Sequence, residues 1–147
     1  MNIDIPVAEL TEADRELVET AREIADTHSD GEDGIHTVGA AVRAADGSVH
    51  RGINVYHFTG GPCAELVALG AARANGAREL TTIVAVGNGD RGVLGPCGRD
   101  RQILLDHHPG IRVVLPTSHG LATAPVHALL PFATTWSTTE ASVPFTP

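Results

Sequence analysis

The chain reads as one α/β domain, a layer sandwich on a mixed sheet of about five strands, and three observations predict it. Short β-like runs alternate with segments of helical length and period. The first two runs are joined by an Asp-Gly turn, the signature of a hairpin. The later runs are continuously apolar, as strands covered on both faces are.

The elements follow in order. Thr11-Glu12-Ala13-Asp14 is a helix start with acids in its first turn, and Ala13, Leu17, Ala21 and Ile24 recur at helical spacing up to Asp26. The polar stretch from His28 to Gly34 ends that helix as a loop. Thr37 to Ala44 and Val49 to Val55 flank Ala45-Asp46-Gly47-Ser48 and pair as an antiparallel hairpin. Cys63 to Ala74, rich in alanine and leucine, is a helix with Gly76 just past its end. Thr81 to Gly87 is a buried strand. A helix from Cys97 to about His107 is stopped by Pro109-Gly110, and Ile111 to Leu115 is the next buried strand, the later strands being expected to run parallel through right-handed crossovers. Beyond Pro116, Leu121 to Ala124 gives a short strand and Val126 to Leu130 a helical turn. The domain is expected over residues 1–136, with 137–147 a C-terminal tail.

Composition narrows the function. With 147 residues, 42% hydrophobic and 19% charged, the chain is globular and long enough for one sizeable core. No apolar run approaches the ~18 residues that cross a bilayer, and the first residues lack the basic and apolar regions of a leader, which predicts a soluble, cytoplasmic protein. The formal charge of −8 repels phosphate backbones and anionic membranes, so neither is an expected partner. Every cation is an arginine; without lysine, Schiff-base chemistry and a phosphate-binding P-loop lysine are excluded. The two cysteines do not make a disulfide scaffold, and three uses stay open for them: metal ligand, nucleophile or buried apolar residue.

Two segments share one design, Gly60-Gly61-Pro62-Cys63-Ala64-Glu65 and Gly95-Pro96-Cys97-Gly98-Arg99-Asp100. Each leads a cysteine into the first turn of a helix, where unpaired N–H groups favour a thiolate. If the two helix starts meet, the like charges need a cation. Asp100 follows Cys97 by one helical turn, with Cβ atoms about 5–6 Å apart, so both can grip one ion. Two thiolates and a carboxylate leave a fourth position for water, the arrangement of catalytic zinc, and carry the same formal charge as three thiolates. Glu65 is placed to move protons beside that position. His107, seven residues along the helix, lies about 10 Å from Asp100 and cannot substitute for it.

Thr37-Val38-Gly39-Ala40-Ala41-Val42, Asn54-Val55-Tyr56-His57-Phe58-Thr59-Gly60-Gly61-Pro62-Cys63-Ala64-Glu65, Arg91-Gly92-Val93-Leu94-Gly95-Pro96-Cys97-Gly98-Arg99 and Leu129-Leu130-Pro131 with Trp136 resemble the small cytidine deaminases, among them most of all the blasticidin S deaminases. The resemblance spans His36 to Trp136. It implies a three-layer α/β/α fold, a homotetramer, and zinc-dependent hydrolytic removal of ammonia from the cytosine ring of a free nucleoside or nucleoside-like antibiotic, with a glutamate shuttling protons. By position, Cys63 and Cys97 would hold Zn2+ and Glu65 would be catalytic. Asn54 would contact the sugar-like part of the substrate. Arg91 would adjust thiolate charge or help with substrate, and Trp136 would lie near the pocket.

The chain departs from the family pattern twice. Where the family has Pro-Cys-x-x-Cys, this chain has Pro96-Cys97-Gly98-Arg99-Asp100, so the third metal ligand is a carboxylate or is missing. Where nucleoside-specific members carry Asn-x-Glu-Asn, it has Asn54-Val55-Tyr56-His57; Tyr56 replaces the glutamate that would hold a ribose diol and would repel an anionic sugar. His36 falls where an aromatic ring would stack on the pyrimidine. Two rival readings follow. One is a catalytically silent nucleoside-binding protein that has lost its metal with the third cysteine; the other is a metal-free thiol hydrolase using Cys63 or Cys97 with His57 as base.

Overall fold

A computed structural model of the protein describes residues 4–31 and 34–137. Its first helix, α1 (Glu12–His28), starts at a reciprocal cap: Asp14 N donates to Thr11 Oγ1 at 3.1 Å and Thr11 N to Asp14 Oδ2 at 3.0 Å. Leu17, Val18, Ala21, Ile24 and Ala25 form its buried stripe, whereas Ala13 faces solvent. Strands β1 (Val38–Ala44) and β2 (Val49–Ile53) make the expected hairpin, with Gly47 at φ +87° in the turn. Helix α2 (Ala64–Ala74) is followed by β3 (Leu80–Gly87), a short β4 (Gly92–Leu94), helix α3 (Gly98–His107), β5 (Arg112–Thr117) and β6 (Gly120–Pro125). A 3-10 turn over Val126–Leu129 ends the series.

The sheet has six strands in the order β2-β1-β3-β5-β6, with β4 paired to β3. β4 is the strand that the sequence reading omits. Three residues between two glycines carry too little periodicity to register, and β4 continues the edge of β3 beyond the point where β5 ends its pairing. β3 and β5 are parallel as expected, joined by a crossover through α3. β6, in contrast, is antiparallel to β5, because Ser118-His119 is too short a connection for anything but a hairpin.

Helices cover both faces. Leu17, Val18, Ala21 and Ala25 of α1 pack with Ala41, Val84, Val86 and Val114 on one side of the sheet. Ala64, Ala68 and Ala72 of α2 and Leu104 and Leu105 of α3 pack with Ala40, Val42, Ile83 and Val113 on the other. The residues alternate between the faces along β1 and β3, as the two-residue period of a strand demands. This is the three-layer α/β/α sandwich. The alanines of α2 let the helix sit close, and at Gly52 of β2 any Cβ would collide with the Ala68 backbone nitrogen. That contact fixes how far the start of α2 projects beyond the sheet. Among the described residues no helix is long and apolar enough to cross a membrane. Of the expected tail at 137–147, residues 138–147 lie outside the described residues.

Candidate metal centre

Cys63 and Cys97 occupy the same structural position, the N-caps of α2 and α3. Both have extended backbone and neither side chain caps its helix, so both thiols are free to point forward. They meet: Cys63 Sγ and Cys97 Sγ are 3.7 Å apart. That is far beyond a disulfide bond. Two sulfurs bound at 2.3 Å to one tetrahedral ion would stand about 3.8 Å apart. Asp100, in the first turn of α3, completes the group, with one ligand atom from each of Cys63, Cys97 and Asp100 lying within 4.8 Å of the others. The Asp100 side chain is buried, and its Oδ1 has no hydrogen-bond partner. An unpartnered buried carboxylate oxygen is costly unless it binds a cation. Donor chemistry, spacing and the orphaned oxygen all fit a divalent ion.

The cluster opens into a cavity of about 220 Å³ walled by Val38, Ala85 and Leu94 and lined further by Asn54, Tyr56, Gly61, Pro62 and Glu65. Glu65 is 6% exposed, and burial together with the nearby Asp100 carboxylate pushes its carboxyl up to about 7. The expectation that the helix starts alone would make the cysteines anionic does not hold for Cys63. Burial pushes its thiol up to about 11, with Asp100 and Cys97 adding to the rise and a hydrogen bond from Arg99 opposing it. A cation, not the helix N-terminus, is what would hold both sulfurs as thiolates.

Asn54 and Tyr56 are at the cavity, as expected. Asn54 Oδ1, however, already accepts from Thr37 N at 2.6 Å and Val38 N at 2.9 Å, which pins the start of β1 to the loop after β2. Tyr56 stands exposed at the mouth. Three of the expected substrate contacts sit outside the lining. His36 lies behind Asn54, its Nδ1 donating to the Asn54 carbonyl at 2.7 Å. Arg91 spends its guanidinium on Thr37 O at 2.6 Å and on Asn88, closing the turn between β3 and β4. The Trp136 backbone nitrogen donates to Asp106 Oδ1 at 2.9 Å, near the end of α3 opposite Cys97. His57 does not serve a cysteine as base; its ring hydrogen-bonds Thr59 and lies against Phe58. His107 lines a separate groove between α2 and α3.

One residue that sequence reasoning missed is Arg99, whose Nη2 lies 3.6 Å from Cys63 Sγ and 2.9 Å from Gly61 O. A signal existed. A cation in the first turn of a helix opposes the macrodipole and needs a compensating partner. Leu94, which walls the cavity, was missed along with β4.

No family model matches the chain. The blasticidin-S deaminase of Bacillus cereus is 33% identical over 132 residues, 83% of this chain and 92% of that protein. A cytidine deaminase of Mycobacterium tuberculosis is 42% identical over 72 residues, 48% of this chain and 53% of that protein. Among solved structures, the cytidine deaminase of Burkholderia pseudomallei aligns with a TM-score of 0.68 at 32% identity, covering 84% of this chain and 99% of the other.

Proposed function

The chain belongs to the cytidine deaminase family, hydrolases that act on C–N bonds, and from that premise we propose that it is a zinc-dependent deaminase releasing ammonia from the cytosine ring of a free nucleoside or nucleoside-like antibiotic. The observation that carries the reading is the convergence of Cys63, Cys97, Asp100 and a buried, protonatable Glu65 on one small cavity. Cys63, Cys97 and Asp100 would hold the zinc, which when bound supplies a Lewis acid that makes water nucleophilic near neutral pH.

The protein's own residues do the rest. Glu65 would take one proton from the attacking water on a side-chain oxygen and pass it to the ring nitrogen beside the reacting carbon, then take the second from the newly added hydroxyl and give it to the amine as the C–N bond breaks and the carbonyl forms. Burial raises the proton affinity of this carboxyl above that of a free glutamate, which suits a group that must accept and give a proton in one cycle. Val38, Ala85 and Leu94 offer apolar walls to a flat ring and keep bulk water from Glu65. At about 220 Å³ the cavity is below the ~300 Å³ of drug-sized pockets, so it suits one six-membered ring with the remainder of the molecule at the mouth. Asn54 and Tyr56 line that mouth, and without a carboxylate there an anionic or modified sugar is not repelled. A net charge of −8 disfavours polymeric nucleic acid as the substrate.

The same proposal includes residues 1–136 as the catalytic domain, a cytoplasmic setting that keeps the paired thiols reduced, and a homotetramer. Phe58 and Phe132, 87% and 106% exposed, are apolar surface that such an assembly would cover. The test is ammonia release from cytidine, deoxycytidine, cytosine and blasticidin S, with and without added zinc, alongside the metal content of protein purified without chelator. Turnover of at least one substrate with about one ion per chain is expected. A fully loaded protein that releases ammonia from none of them overturns the proposal.

A further inference from the structure

A second cavity runs between α2 and α3 to the helix ends opposite the cysteines, with a volume of about 550 Å³, inside the ~300–1,000 Å³ range of small-molecule sites. It is polarised along its length. Leu66, Leu69 and Ile103 make one half apolar. Arg73 in the last turn of α2, Arg78 in the loop that follows, and His107 and His108 at the end of α3 make the other half basic. No carboxylate lines this groove, in a chain whose formal charge is −8. The acids nearest in sequence, Glu79 and Asp106, are not part of the lining, and Asp106 is bonded to Gln102 and to Trp136 N. The other arginines are committed. Four are in ion pairs with acids and four donate to oxygens of the fold, which leaves Arg73 and Arg78, of ten, with neither a hydrogen bond nor an ion pair among the described residues. The end of α2 makes no demand on them either, because the carbonyls of Ala71, Ala72 and Arg73 accept from the backbone of Asn75, Gly76 and Ala77.

Gly70 points to an occupant independently. It lies in the middle of α2 on the groove wall, where a Cβ would meet no atom within 4 Å, so nothing in the chain calls for a glycine that weakens the helix relative to alanine. It leaves the α2 backbone open to whatever enters. The basic half sets the chemistry of the guest. One guanidinium fork satisfies a carboxylate, whereas two forks and an imidazole match the three terminal oxygens of a phosphate monoester. Burial and the neighbouring His107 hold His108 below its ordinary value, so near neutral pH it is a neutral donor and the fixed charge comes from the two arginines. The apolar half calls for a body attached to the phosphate. The charge of −8 repels extended polyanions and anionic membranes, which leaves a small soluble molecule. We propose that the α2/α3 groove binds a small organic phosphate ester, its phosphate on Arg73, Arg78 and the two histidines and its apolar body along Leu66, Leu69 and Gly70. The site stands apart from the metal centre at the start of the same helices and does not depend on it.

Calorimetric titration of the full chain tests it with three probes: 1-naphthyl phosphate, inorganic phosphate and 1-naphthol. The ester should bind saturably, at least about tenfold tighter than either fragment, since it alone fills both halves. Arg73→Gln and Arg78→Gln should each weaken the ester about 10- to 100-fold, the range for loss of a charged hydrogen-bonding partner. Gly70→Leu, which favours the helix but fills the apolar half, should bring the ester down to the level of inorganic phosphate. Both arginines are exposed and unbonded, so their variants should keep the wild-type urea midpoint; a fallen midpoint would show that they hold the fold together and overturn the premise. No saturable binding of the ester overturns the proposal, as does ester binding that survives replacement of both arginines, which would seat it elsewhere. Naphthol binding as tight as that of the ester would make the groove an apolar patch, and unchanged ester affinity in Gly70→Leu would remove the body from α2; either result refutes the assignment. Cosedimentation with phosphatidate vesicles without binding of the soluble ester would move the partner to a membrane and overturn it too.

Discussion

Replacing Glu65 by glutamine should make the metal-free protein more stable and the loaded protein inactive. In the folded chain burial raises the Glu65 carboxyl from 4.5 to about 7, so folding favours its protonated form. The sign follows: below 4.5 folded and unfolded chains are both protonated and nothing is lost, and between 4.5 and 7 stability falls as pH rises, because the unfolded chain gives up its proton first. At 1.36 kcal/mol per pH unit the full disadvantage above pH 7 is about 3 kcal/mol. Glutamine is always neutral and nearly the same size, so it escapes that cost. Urea denaturation of chelated, reduced protein checks it. At pH 8 Glu65→Gln should unfold at a midpoint about 1–2 M above wild type, given a slope of about 2 kcal/mol/M, and at pH 4.5 the two curves should nearly coincide. Equal midpoints at pH 8, or the same offset at both pH values, would show that Glu65 is not a carboxyl held out of water at a stability cost.

Substitutions at three other positions probe separate links. Asp100→Ala should lose most bound zinc while Asp100→Cys, which keeps the ligand charge, retains it; full occupancy in the alanine variant, measured by elemental analysis, would show that another residue completes the site. Gly61→Ala pushes a Cβ into the Val55 carbonyl and should cost about 1–3 kcal/mol, read as a lower urea midpoint, with a wild-type midpoint showing that the loop swings clear. Asp14 bonds Arg43 at 2.8 Å and caps α1; although burial pushes its carboxyl up, the bonds from Arg43 and Thr11 outweigh that and hold it below 3.8. Its stabilisation is therefore present above pH 3.8 and lost as pH falls through the lower folded value, so Asp14→Asn should cost about 3 kcal/mol at pH 7 and flatten the acid limb of the stability curve, whereas an unchanged acid limb would remove Asp14 from it.

Much of the fold was legible because its signals are local. The Thr11–Asp14 cap, the Asp46-Gly47 turn and the apolar run of β3 each announce themselves within a few residues, and each stands in the structure where the sequence places it. β4 and the direction of β6 were not legible for the opposite reason. A three-residue strand has no period of its own, and the hairpin of β5 and β6 turns on the two residues Ser118-His119, which carry no Asn-Gly or Asp-Gly signal. The metal-site candidates were readable from the repeated Gly/Pro-Cys helix start plus one helical turn to Asp100. The mouth was harder. Motif order places Arg91 next to the second cysteine along the chain, but a turn with Gly89 and Asp90 both at positive φ carries its side chain back onto Thr37, so nearness in sequence did not become nearness in space.

An aspartate at position 100 in the proposed ligand set would be more than a tolerated exchange for a thiolate, because burial changes what each group does when no ion is bound. A buried thiol is a neutral, weakly polar side chain that costs little. A buried carboxylate with an orphaned oxygen, beside the second buried carboxyl of Glu65, costs several kcal/mol unless it is protonated or meets a cation. As a ligand set, Cys63, Cys97 and Asp100 would therefore tie metal binding to the stability of the α2 and α3 helix starts more tightly than three sulfurs would. The Asp100 carboxylate that would meet the ion also adds to burial in raising the Glu65 carboxyl, so in the proposed centre one aspartate would link metal affinity to the proton affinity of its neighbour.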